Sequence, residues 1–157
     1  LRRLVAVLRD PDGAQGDAAL PAIDPSALPA ALDGAVETAR RAGLVVDADI
    51  AGPLASLDAV RGLAVLRLTQ EALTNVAKHA GTTAHATLIV DVREDRVFWQ
   101  VTDDGGPASP ANLKPPGGGY GLVGMRERAT VLGGELEAGP HGTGWRVSTS
   151  LPTAGAA

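Results

Sequence analysis

Read at about 100° per residue, residues 57–80 predict a helix with two unlike faces. Leu66, Leu73, Val76, Ala77 and Ala80 gather on one side. Glu71, Asn75, Lys78 and His79 fall within roughly a 100° wedge on the other. Gly81 ends the run. Ahead of it, residues 1–9 carry apolar positions at Leu1, Leu4, Val5 and Leu8, the stripe of a short amphipathic helix. Residues 10–25, rich in Asp, Pro, Gly and Ala, read as a linker. A helix is then expected from Ser26 as N-cap, with Leu28, Leu32 and Val36 inward and Arg40 and Arg41 at its C-terminal dipole end. Gly43 stops it, residues 44–50 alternate as a half-buried strand, and Gly52-Pro53 marks a turn.

Residues 85–94 and 96–102 predict an antiparallel hairpin around a tight Glu94-Asp95 turn. Ala86, Leu88, Val90 and Val92 share one face of its first strand; Val97, Trp99 and Val101 share one face of its second. Asp103 continues that second face past the strand's end, a polar group at the lip of the core. Residues 104–119 have no periodicity and abundant Gly and Pro, and loops this long in a compact domain are functional or disordered. Residues 121–132 predict a helix with Leu122, Met125, Ala129 and Leu132 inward and Arg126, Glu127 and Arg128 exposed. Gly133-Gly134 ends it, and residues 135–138 and 145–151 predict a second hairpin around 140–144. The order of elements points to an α/β two-layer sandwich with helices on one face of a mixed sheet. One domain is expected over residues 26–152, followed by a flexible tail at 153–157.

Composition narrows the chemistry. The chain has 157 residues, 45% of them hydrophobic but only 3% aromatic, so the core must be built from Leu, Val and Ala. A net charge of −4 and the lack of any Lys/Arg-rich run argue against direct nucleic-acid binding or an acidic membrane surface. With no Cys there are no disulfides or thiolate metal sites, which fits a reducing compartment. His79, His85 and His141 do not form a zinc-ligand spacing. No apolar window reaches spanning length, and the N-terminus has no signal-peptide pattern. The chain starts as a helix entered midway, so it is expected to be part of something longer.

Three stretches carry candidate chemistry. The polar wedge of residues 71–79 offers a carboxylate, an amide, an ammonium and an imidazole, the groups a magnesium-bound polyphosphate needs. Asp103-Asp104-Gly105 closes a strand with an acceptor for an exocyclic amine and a residue small enough for a planar base to approach. Gly117 to Gly124 opens a helix with bare N–H groups and a positive dipole end suited to phosphates. Each has an ordinary explanation when taken alone: a solvated helix face, a plain turn and a loose loop. Gly119-x-Gly121-x-x-Gly124 also matches the dinucleotide fingerprint, but Lys114-Pro115-Pro116 stands where that fingerprint needs an apolar strand.

Taken in order, these stretches resemble known motifs. Residues 70–80 resemble the N box of sensor histidine kinases, Asp103-Asp104-Gly105 their G1 box, residues 119–128 their G2 box, and Gly142-Thr143-Gly144-Trp145 their last glycine motif. The wording of residues 121–128, Gly-Leu-Val-Gly-Met-Arg-Glu-Arg, is typical of the NarL-type subfamily. The resemblance spans residues 27–152 and implies a Bergerat-type ATP-binding fold. It implies Asn75 as the Mg²⁺ ligand and Glu71 as the catalytic group polarising the attacking group or a metal-bound water. Lys78 and His79 would contact phosphate, Asp103 the adenine amine, and Gly105 would leave room for the base. Gly119, Gly121 and Leu122 would cradle phosphates, Thr143 would sit near the adenine, and residues 106–118 would form a mobile lid. Residues 1–9 would be the end of a dimerisation helix.

One departure stands out: the second Gly of the G1 pattern is replaced by Pro107, which fixes φ and removes an N–H. The resemblance further implies a cytoplasmic domain, whether or not its parent is membrane-anchored. It also implies a response regulator with a helix-turn-helix output as downstream partner. No histidine here precedes an acidic residue as the subfamily's phospho-acceptor does. The fragment is therefore expected to lack its own substrate. With the stripe of Leu1, Leu4, Val5 and Leu8 left without a partner helix it is expected to be monomeric, and the full-length protein a homodimer. The alternative on the same fold is a serine-kinase anti-sigma factor, and a more distant one is a dinucleotide-binding oxidoreductase.

Overall fold

The computed structural model describes residues 21–81, 83–105 and 120–155. The expected helix at 1–9, residues 10–20 of the linker, the lid at 106–118 and Gly119 lie outside the described residues.

Five strands form one sheet: β1 (Val45–Ala51), β2 (His85–Arg93), β3 (Arg96–Asp103), β4 (Glu135–His141) and β5 (Gly144–Pro152), in spatial order β1-β2-β3-β5-β4. β1 runs parallel to β2 and the remaining pairs are antiparallel, so the sheet is mixed as expected. Alternation fixes which face is covered. Ala86, Leu88, Val90, Val92, Val97, Trp99 and Val101 are buried, while Phe98 on the opposite face is 40% exposed. Three helices, α1 (Leu28–Arg41), α2 (Ala59–His79) and α3 (Tyr120–Val131), join these residues in one continuous core. Among the described residues no helix is long and apolar enough to cross a membrane.

α2 is the central helix. It packs against α1, α3 and β3, so its apolar side is wider than the periodicity alone marks. Ala64, Val65, Leu68, Thr69 and Ala72 are buried together with Leu66, Leu73 and Val76. One polar pair is set inside this core. The Trp99 indole N–H donates to the Thr69 hydroxyl at 2.9 Å, and that hydroxyl donates to the Val65 carbonyl at 2.8 Å. Both side chains are essentially inaccessible to water, Thr69 at 0% and Trp99 at 1% exposure.

Several boundaries differ from the pattern. The first cap is Asp24, not Ser26. Its carboxylate accepts from the Ser26 N–H and hydroxyl, both at 2.9 Å, and caps a 3₁₀ turn at Pro25–Ala27 from which α1 continues. α2 begins at Ala59 because Asp58 caps it, accepting from the Arg61 N–H at 2.8 Å. The last hairpin is tighter than expected, with β4 extending to His141 and β5 starting at Gly144, so only Gly142 and Thr143 form the turn. Part of the expected linker belongs to the domain: the Ile23 N–H donates to the Ala59 carbonyl at 3.0 Å, and its side chain packs on the core. The tail is likewise pinned rather than flexible through Gly155. Thr153 is buried, its N–H donates to Asp95 O, and its carbonyl accepts from the Asp58 N–H, both at 2.8 Å.

Thr69→Val should cost about 1–3 kcal/mol, because it strands the Trp99 N–H in a dry core. Thr69→Ser, which keeps the acceptor, should cost less. Urea unfolding measures both, and a Thr69→Val protein as stable as the unsubstituted one would show that the bond to Trp99 contributes nothing.

Candidate functional site

The C-terminal half of α2 carries the polar wedge. Glu71 and Asn75 are half-buried at its edge, while Lys78 and His79 are exposed in the last turn. Lysine and histidine at that end complement the helix dipole. Glu71 is not simply solvated: Arg128 Nη1 lies 2.6 Å from Glu71 Oε1, tying α3 to α2. This corrects the reading of Arg128 as an exposed residue, since its side chain is only 26% exposed. It lies next to Ala129, which is wholly buried, so its stem is carried over the α2–α3 groove.

The second part of the site is the end of β3. Asp103 pairs with Ala86 of β2 and Trp145 of β5. Its Oδ1 accepts from the Gly105 N–H at 2.7 Å, and the Trp145 backbone N–H also bonds its carboxylate. Burial is the largest influence on this acid and pushes its pKa above the ordinary value. The neighbouring Asp104 adds to the rise, and the two backbone N–H groups pull it back down. The Thr143 hydroxyl donates to the Asp104 carbonyl at 2.8 Å, so Asp103, Gly105 and Thr143 meet at one end of the sheet.

Glycine is required here by the backbone itself. Gly105 has φ +82°, and a Cβ on it would lie 2.2 Å from the Thr143 carbonyl oxygen. A Cβ on Gly144 would lie 1.9 Å from the Asp103 carbonyl oxygen and 2.6 Å from Asp103 Oδ1. Gly144 is thus a site residue that the sequence reading did not single out, though it closes the quoted Gly142-Thr143-Gly144 run.

The third part is the start of α3. Gly121 lies in its first turn, where backbone N–H groups have no intrahelical partner. The Leu122 side chain is 8% exposed and belongs to the core, which anchors that turn. Among the described residues no group of three or more His, Cys, Asp or Glu could hold a metal by itself.

A protein-family model described as histidine kinase-, DNA gyrase B- and HSP90-like ATPase matches residues 61–155, from α2 to just beyond β5. This chain belongs to that ATPase family. Its relatives include the signal transduction histidine-protein kinase/phosphatase UhpB of Salmonella typhimurium, 42% identical over 89 residues, which are 56% of this chain and 17% of UhpB. They also include the nitrate/nitrite sensor protein NarQ of Escherichia coli, 36% identical over 132 residues, 83% of this chain and 22% of NarQ. The chain therefore spans about a fifth of the length of these relatives. Among solved structures, the catalytic domain of the histidine kinase ThkA superposes with a TM-score of 0.60 at 14% identity, covering 82% of this chain and 92% of that one. That likeness confirms the expected fold, and the ATPase family makes ATP the ligand of the domain.

Asp103 gives the ATPase domain a definite pH signature. Its folded pKa lies above the ordinary 3.8, so the folded state keeps the proton longer than the unfolded chain does. Its contribution to stability therefore falls as pH rises from 3.8 through the folded value. Asp103→Asn removes that penalty, and the stability difference should move in the variant's favour as pH rises above 3.8. Urea unfolding across that range checks it; a difference independent of pH would show that this carboxyl titrates as in the unfolded chain.

Proposed function

We propose that this chain is the cytoplasmic, ATP-binding catalytic domain of a NarL-type sensor histidine kinase. It holds Mg-ATP and presents the γ-phosphoryl group to a histidine on a dimerisation domain outside this chain. The observation that carries the reading is the pairing of two half-buried groups on one stripe of α2, Glu71 and Asn75, with a carboxylate fixed at the end of β3. The names of its relatives, a histidine-protein kinase/phosphatase and a nitrate/nitrite sensor protein, support it.

In this reading Asp103 takes the adenine amine, with Gly105 and Thr143 beside it. Lys78, His79, Gly119 and the opening turn of α3 with Gly121 and Leu122 take the phosphates. Asn75 offers an uncharged oxygen to Mg²⁺. This ion keeps several waters and shares its shell with phosphate oxygens, so a single protein oxygen is enough to seat it. When bound, the ion supplies neutralisation of the charge on the polyphosphate.

The transfer itself is a displacement at phosphorus. The acceptor imidazole nitrogen bonds to the γ-phosphorus as the bond to the β–γ bridging oxygen breaks, and ADP leaves. Glu71 polarises the acceptor by taking the hydrogen bond of its second ring N–H, and that proton is then lost to solvent. The domain's contribution is mainly positioning and charge stabilisation. The product, a phosphohistidine, would supply a response regulator with a helix-turn-helix output.

Two measurements test the reading. Asn75→Ala should weaken ATP binding at least tenfold, about 1.4 kcal/mol, in Mg²⁺ but little in EDTA. Equal losses in both would remove Asn75 from the metal. The isolated chain should bind ATP and show almost no autophosphorylation. With a dimerisation hairpin supplied in cis or in trans, acid-labile phosphohistidine should form on the hairpin, and Glu71→Gln should slow its formation about 10²-fold or more while keeping ATP binding. An unlabelled hairpin beside a partner protein phosphorylated on serine would instead establish the anti-sigma alternative.

A further inference from the structure

We infer that Arg128 is a positioning residue for Glu71, holding that carboxylate at the reacting end of the site; the inference rests on the kinase reading above. The pair joins residues 57 positions apart, at 2.6 Å between Arg128 Nη1 and Glu71 Oε1. An ion pair between two long, fully solvated side chains contributes little, because its attraction is screened and its ordering costs entropy. This pair differs in how its cation is held. The Arg128 side chain is only 26% exposed, and it stands on a helix seated by Leu122, Met125, Ala129 and Leu132, all buried. Its guanidinium is thus fixed by the packing of α3, while Glu71 is 41% exposed and has three torsions to lose.

The choice of partner is informative. Arg67 stands one turn before Glu71 on the same helix and lines the same groove, yet among the described residues the carboxylate pairs across to Arg128. A bond to Arg67 would draw the carboxylate back toward the N-terminal end of α2. Arg128 keeps one carboxylate oxygen occupied from the α3 side and leaves Oε2 without a hydrogen bond among the described residues. That second oxygen is the one left to take the acceptor's N–H. The same contact makes the orientation of Glu71 depend on the seating of α3, whose first turn is the proposed phosphate cradle. A phosphate group drawing on that turn and a carboxylate aimed at the acceptor are thereby set by one rigid helix.

The test uses Arg128→Met and Arg128→Lys in the parent kinase, or in this chain with the hairpin added. Arg128→Met should lower kcat for phosphohistidine formation about tenfold while the Kd for Mg-ATP and for ADP changes less than about twofold. Arg128→Lys should recover part of the rate, since it keeps the charge but not the planar fork. Adding Arg128→Met to Glu71→Gln should slow transfer no further, because both act through one carboxylate. Multiplying losses, or a kcat unchanged in Arg128→Met, would overturn the assignment. So would a loss of ATP affinity without a loss of ADP affinity, which marks a direct γ-phosphate contact instead. A thermal melt that drops in Arg128→Met but not in Arg128→Lys, with both rates equal, would make the pair purely structural. If the unsubstituted protein binds ATP but never labels the hairpin, the kinase reading fails, and the role of Arg128 fails with it.

Discussion

The hydrogen bond from the Trp99 indole to the Thr69 hydroxyl sets the rotation of α2 against the sheet. Apolar packing tolerates small rotations of a helix about its axis, because one aliphatic contact replaces another at little cost. A donor and an acceptor sealed in a dry core do not, since separating them leaves both unsatisfied. Thr69 stands two residues before Glu71 and six before Asn75, so the angle that satisfies Trp99 also decides where those side chains emerge. A residue of the core thus fixes the geometry of a surface site.

The strand-end part is governed by a different constraint, the close crossing of two backbones. Asp103 to Gly105 and Thr143 to Gly144 approach so nearly that no side chain fits at either glycine. Such a crossing leaves polar backbone groups in a partly buried place, and the Asp103 carboxylate answers two of them. That geometry holds the acid rigidly while removing part of its water, which raises its pKa and sharpens its preference for a partner that donates a proton-bearing group. Gly105 therefore has a structural reason to be glycine before any ligand is considered.

Much of this was legible in the sequence because it is local. The period of α2, the alternation of β2 and β3 and the position of Asp103 at the end of its face need no knowledge of distant contacts. What escaped needed them. Arg128 reads as solvent-facing because it lies off the inward stripe of Leu122, Met125, Ala129 and Leu132, and only the approach of α3 to α2 supplies Glu71 as its partner. The burial of Leu68 and Ala72 within or beside the polar wedge follows from the packing of the helix against α1, α3 and the sheet, not from its own pattern. Ser26 is an attractive helix start and the periodicity begins at Leu57, but Asp24 and Asp58 hold carboxylates at the right offsets and take the caps. The pinned residues after β5 escaped for a similar reason: small and polar, they are held by Asp95 and Asp58 rather than by an apolar pattern.

Those last bonds have a mechanical consequence. Ile23 is fastened to the Ala59 carbonyl, and Thr153 and Gly155 to Asp58, so the incoming and outgoing chain both attach at the first turn of α2. Asn75 lies sixteen residues further along the same rod, about 24 Å away at 1.5 Å per residue. The domain is thus hung from one end and carries its chemistry toward the other. Pivoting by about 20° at the suspended end sweeps that position through about 8 Å, with no change inside the fold. A stiff helix clamped at its base multiplies a small rotation there into a larger displacement at its far end.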